Sequence, residues 1–185
     1  MSTRRRAFVL ASLLAVASLT AAAQKRAGLM GDLIADVTDV EGKIVGLAKA
    51  LPEASYGWRP MPGVRSAGEV FTHVAGDNYF MPAVLGVAAP TATGISSTDY
   101  KTVGAYEGKA RSRAEIISEV EQSFAFLKKT MTDTTDTRLE TSMKVFGRES
   151  SIRTTWVGTV THLHEHLGQL IAYARSNNVV PPWSK

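Results

Sequence analysis

The sequence predicts an all-α protein, a four-helix bundle with long crossover connections, preceded by an export signal. Three observations carry this. Four stretches hold apolar residues at helical spacing, convincing strand pattern is almost absent, and two of the connections are long enough to cross a bundle. A simple up-down-up-down order is therefore not required.

Residues 1–23 are set apart from the fold. Arg4, Arg5 and Arg6 form a positive start, "AFVLASLLAVASL" an apolar centre, and "AAA" a small-residue cleavage site before Gln24. The apolar run is short and rich in small residues, so no stable membrane span is expected after cleavage. Arg5, Arg6 and Phe8 also fit a twin-arginine signal, although Leu10 stands where a lysine often closes that motif; Sec export fits as well. The expectation is an exported protein, periplasmic or secreted, with one domain over residues 24–185.

The first helix spans about 27 to 50, with Leu29, Leu33, Val37, Val40, Ile44 and Leu47 at helical spacing, and "LPEASYGWRPMPGVR" stops it. The second opens with a capping box, Ser66 followed by Glu69, and runs through "AGEVFTHVAGDNYFMPAVLG", where Pro82 blurs the last turn. A connection of about 87 to 110, rich in Gly, Thr and Ser, has no strong period. Ser112 and Glu115 form the box that opens the third helix, which places Ile116, Val120, Phe124 and Leu127 on one face. Brief alternation around "MKVFGRE" suggests a short hairpin. The fourth helix, about 154 to 176, ends at "NNVVPPWSK".

Composition narrows the function. The chain has 21 basic and 17 acidic residues, and the three arginines of the signal account for most of that excess. No basic stripe with interleaved aromatics remains, which excludes nucleic acid as an expected partner. There is no cysteine, so thiolate catalysis, thiolate metal sites and disulfides are all excluded.

Three of the four histidines fall in "THLHEHLGQLIAY", residues 161–173. A helix turns about 100° per residue, so His162 and His166 share a face while His164 points elsewhere. Gln169 and Tyr173 continue the line of the pair, beside an apolar stripe of Leu163, Leu167 and Leu170. Two imidazoles are too few for a firm metal site. The remaining histidine, His73, shares a face of the second helix with Val70, Val74, Met81 and Val84, and Asp77 lies one turn on. Three inward, unpaired imidazoles are costly to bury, and a divalent cation removes that cost. His73, His162 and His166 are therefore the candidate metal ligands. Gln169 is a candidate supporting residue, and Asp77 a fourth ligand, an acceptor from an imidazole N–H, or a general base. A metalloprotease motif is excluded, because Leu163 follows the first paired histidine where a Glu is needed.

These residues carry a resemblance. "WRPMPGVRSAGEVFTH", ending at His73, and "HLHEHLGQL", with His162, His166, Gly168 and Gln169, resemble the DinB/YfiT-like superfamily of four-helix-bundle metalloenzymes over the whole mature chain. The resemblance implies a zinc or nickel ion on the three histidines, water completing the shell, and a helix order that is not the simple antiparallel one. It also implies hydrolase or thiol S-transferase chemistry on a small-molecule substrate. Export weighs against thiol transfer, since low-molecular-weight thiols are scarce outside the cytoplasm. The expected function is thus an exported, metal-dependent enzyme. The rival is a non-enzymatic bundle in which a structural metal ties the second helix to the fourth or a ligand is merely bound. A homodimer is compatible with either.

Overall fold

The computed structural model describes residues 28–184; the expected export signal and the predicted start of the first helix at residue 27 lie outside the described residues. Helix α1 (Leu29–Ala50) buries Met30, Val37, Val40, Ile44 and Leu47, the stripe its spacing predicts. Its N-terminus has no cap of its own. Asp136, far along the chain, accepts a hydrogen bond from Met30 N at 3.1 Å instead.

Helix α2 (Ala67–Val84) opens with both halves of its capping box in place. Glu69 N donates to the Ser66 hydroxyl, and Ser66 N donates to the Glu69 carboxylate at 2.6 Å. That backbone N–H is the main reason the Glu69 carboxyl lies below the usual range. The helix passes through Pro82 and ends two residues later. It is buried on nearly every side, which makes it the central element of the bundle.

The connection after α2 departs from expectation. It contains a seven-residue helix, α3 (Lys101–Glu107), which buries only Val103 and Tyr106. Two apolar positions are too few to produce a readable period. Helix α4 (Arg113–Asp133) follows behind its own capping box and buries the predicted face through Met131.

Strands β1 (Ser142–Val145) and β2 (Arg148–Ser151) pair antiparallel as the expected hairpin. Its two-residue tip, Phe146 and Gly147, has φ values of 50° and 76°, the left-handed pair of a tight hairpin turn. Helix α5 (Ile152–Ser176) begins two residues before the predicted start, capped by Ser151 accepting from Thr154 N at 3.1 Å.

The helix order is not up-down-up-down. Helix α1 packs beside α4 and α5, and α2 packs beside the same two, so sequential partners α1–α2 and α4–α5 lie across the diagonals. Arg113 at the start of α4 donates to Leu51 O at the end of α1, and Lys49 pairs with Glu121, so α1 and α4 are antiparallel. Asn78 donates to Ser123, and Gly68 faces Ile116, so α2 and α4 run parallel. Asp36 meets His164, and Gly46 meets Pro182, so α1 and α5 also run parallel. Asp77 against His162, and Arg65 against Tyr173, make α2 and α5 antiparallel. No helix among the described residues is long and apolar enough to cross a membrane.

Because Ser66 is buried and fixes the first turn of the central helix, Ser66→Ala should cost about 1 kcal/mol, a Tm loss of about 3 °C by thermal denaturation. An unchanged Tm would mean the cap contributes nothing.

Candidate metal centre

The antiparallel seam of α2 and α5 brings together the three histidines that helical geometry singles out. One ligand atom from each of His73, His162 and His166 lies within 4.8 Å of the others, the one such group among the described residues. Their rings stand nearly perpendicular, with centroids 4.4 to 5.3 Å apart. His73 is buried, and the pair on α5 is half-buried.

Each ring is fixed by a partner. Glu107, at the end of α3, accepts from His73 Nδ1 at 2.8 Å. Burial pushes the Glu107 carboxyl up, but the hydrogen bond and charge of His73, with Arg65 at 3.1 Å, hold it below the usual carboxylate range. An ionised carboxylate can only accept, so His73 Nδ1 carries the proton and its Nε2 is left with a lone pair when the ring is neutral.

The same logic fixes His166. Tyr173 spends its hydroxyl proton on Arg65 O at 3.2 Å, so it must accept from Gln169 Nε2 at 3.0 Å. The Gln169 carbonyl oxygen therefore faces His166 Nδ1 at 2.9 Å and accepts its proton. Burial is the largest of the forces on His166 and pushes its pKa down, keeping the ring neutral. The result is an unprotonated Nε2 that is buried and has no hydrogen-bond partner. An orphaned lone pair beside two further imidazoles suits a divalent cation, and an all-nitrogen donor set suits zinc or nickel.

Asp77 lies one turn along α2 from His73. Its Oδ2 is 2.8 Å from His162 Nε2 and 3.4 Å from His73 Nε2, while Oδ1 is buried without a partner. One proton lies in the short contact with His162. Nitrogen that donates to Asp77 cannot ligate at the same time, so proton and cation compete for His162 Nε2.

Gly76 explains how α3 reaches this seam. A Cβ there would sit 3.2 Å from the Val103 side chain and 3.3 Å from the Tyr106 ring, tighter than ordinary contact, so glycine eases the close approach of α3 to α2 that delivers Glu107. Two cavities flank the seam. One, about 800 Å³, has Arg59, Arg65, Glu69, Glu107, His166 and Gln169 in its wall. The other, about 540 Å³, meets Asp77 and His162 and is otherwise largely aromatic.

The other residues around the seam divide. Trp58 packs edge-on against Tyr173 at 5.2 Å and so supports the Gln169 relay. Tyr79 packs away from the three histidines, buried against Tyr106 and Phe126. His164 is exposed and pairs with Asp36 of α1 at 3.0 Å, away from the other three. Sequence reasoning missed Glu107 and Arg65. Glycine inside an apolar helix, one turn from His73, was the available signal that another element approaches there.

Comparison with known proteins agrees with this geometry. A model of the DinB superfamily matches residues 37–170. The chain belongs to the DinB superfamily. Solved DinB-like proteins share its fold: one from Bacillus subtilis at 14% identity (TM-score 0.62, covering 80% of this chain and 93% of that one), and one from Bacillus cereus at 18% (TM-score 0.62, 81% and 93%). YfiT from Bacillus subtilis, described as "a probable metal-dependent hydrolase with an unusual four-helix bundle topology", matches at 10% identity with TM-score 0.64, covering 85% and 94%. No curated protein matches.

The depressed pKa of His166 has a consequence for stability. In the unfolded chain this histidine titrates near about 6.5, whereas folding keeps it neutral to lower pH. Its contribution is present above the unfolded pKa and is lost as pH falls through the folded one. Chelator-treated protein should therefore lose unfolding free energy in urea between about pH 7.5 and about pH 5.5. His166→Asn should lose less over the same interval; equal losses would contradict the assignment.

Proposed function

We propose that this DinB member is an exported, metal-dependent hydrolase acting on a small molecule, with a divalent ion on His73, His162 and His166. The observation that carries it is the buried, partnerless Nε2 of His166 among two other imidazoles, each ring held by a partner on its own second nitrogen or on Asp77. YfiT, which shares the fold and is described as a probable metal-dependent hydrolase, supports the reaction class. A divalent ion so held supplies Lewis acidity and an acidified water at neutral pH.

The chain's own residues do the rest. Glu107 and Gln169 accept the Nδ1 protons of His73 and His166, fixing both tautomers and ring planes before any ligand arrives. Tyr173 and the Arg65 carbonyl hold Gln169 in the orientation that this requires. Asp77 is the proton acceptor. Its Oδ1 is buried and free of protein partners, next to the convergence of the rings, which is where a general base must stand. Cavities on both flanks give substrate and solvent a way in, which favours an open catalytic shell over a closed structural one.

Metal analysis of the purified protein tests this. About one zinc or nickel ion per chain is expected, lost in His73→Ala. Asp77→Asn should retain the metal and lower kcat by about a hundredfold or more on an ester or amide substrate found by screening. If Asp77→Asn loses metal as His73→Ala does, Asp77 is a ligand and the site is structural. A wild type that cannot be loaded sinks the proposal outright. Protein recovered from the periplasm or medium should begin at Gln24.

A further inference from the structure

The second cavity has a feature that the metal chemistry does not require. Its walls are Phe80 from α2, Tyr100 from the start of α3 and Phe146 from the tip of the hairpin, and its floor is Asp77 and His162. The rings of Phe80 and Phe146 lie almost parallel, 17° apart in plane with centroids 6.0 Å apart. Tyr100 stands edge-on to both, at 5.2 and 6.2 Å. Phe80 is buried, yet Tyr100 is 51% exposed and Phe146 is 66% exposed. Two large exposed rings converging on a third are unusual on a folded surface.

Phe146 is also in the wrong place for a hairpin. Its φ of 50° puts a bulky residue in the left-handed region, where Asn, Asp or Gly would sit without strain. Local turn chemistry therefore opposes phenylalanine here, and burial does not reward it. What the ring does gain is a place in the lining of a cavity of about 540 Å³, within the size range of small-molecule sites. Strain held in the lining of such a cavity points to a binding role.

We propose that this cavity is the substrate pocket and that it selects a neutral, flat aromatic group, held among Phe80, Tyr100 and Phe146. The group's polar end would lie against Asp77 and His162. The wall disfavours an anionic ring, which would face the Asp77 carboxylate with no basic side chain but His162 beside it, and the cation proposed on His162 disfavours a positively charged one. Tyr100 keeps its phenol proton, since burial and the nearby Asp77 and Glu107 charges raise its pKa. The proposal rests on the catalytic assignment of the seam for the word substrate, but ring binding can be read without turnover.

The test is ligand-observed NMR with 2-naphthamide, a neutral flat amide, against acetamide, on the full mature chain. Naphthamide should bind, with saturation transfer strongest on its ring protons, and acetamide should not. Phe146→Asn suits the turn geometry and should fold at least as well, while weakening naphthamide about fivefold, the loss expected for one aromatic contact. Phe146→Tyr should restore binding, and Tyr100→Ala should weaken it comparably. His73→Ala should leave naphthamide binding in place while abolishing metal uptake, so a failed catalytic assignment and a failed pocket give different results. Equal binding of naphthamide by wild type and Phe146→Asn, or no preference over acetamide, overturns the proposal. A wild-type dimer that Phe146→Asn converts to monomer also overturns it, because the rings would then serve contact with a second copy.

Discussion

Three imidazoles in one half-buried place repel each other when protonated and waste hydrogen-bonding capacity when neutral. The seam between α2 and α5 meets that constraint by giving each ring a separate acceptor: Glu107 for His73, Gln169 for His166, and Asp77 for His162. Those acceptors come from three different elements. The seam therefore forms only when α3 has docked on α2 and α5 has been laid antiparallel beside them. At His166 burial is the largest influence favouring the neutral ring, helped by repulsion from His162 and His73 and opposed by the Gln169 hydrogen bond and the Asp77 charge.

The diagonal order of the bundle has a structural return. Parallel neighbours and diagonal successors need long connections, and long connections carry loop closure and ordering costs. In this chain each of them contributes to the site. The link from α1 to α2 brings Trp58 and Arg65, the link from α2 to α4 brings Tyr100 and Glu107, and the link from α4 to α5 brings Phe146. The four long helices supply a rigid frame with histidines on it. The crossovers add the Glu107 acceptor, the Arg65 carbonyl behind Tyr173, and two of the three aromatic rings that border the second cavity.

Much of this was legible in the residues. Capping boxes at Ser66 and Ser112, the stop at Leu51–Pro52 and the division of the histidine cluster into a pair and an outlier depend on neighbours within a turn or two, and local periodicity reports them. The meeting of His73 with His162 and His166 was legible because each lies on a core-facing line of its own helix. Glu107 was not, because α3 is too short to show a period and its docking is eased by a glycine one turn from His73. Helix α2 is apolar almost all round, so its sequence does not say which side faces the seam and which faces α4. The relay through Tyr173 to the Arg65 carbonyl ends on a backbone atom, which no side-chain pattern can announce.

The hairpin stands in a different relation to the rest. Its ladder closes on itself, Ser142 with Ser151 through Val145 with Arg148, and its tip meets the body of the molecule through ring faces alone among the contacts of Phe146 described above. Residue 146 can thus be exchanged without disturbing the strand register or any imidazole partner. The part of the molecule that borders the aromatic cavity is free to drift in evolution while the histidine seam stays fixed. Close relatives with the same three histidines should differ most at this tip, and a change there would alter which molecules enter before it altered what the seam does to them.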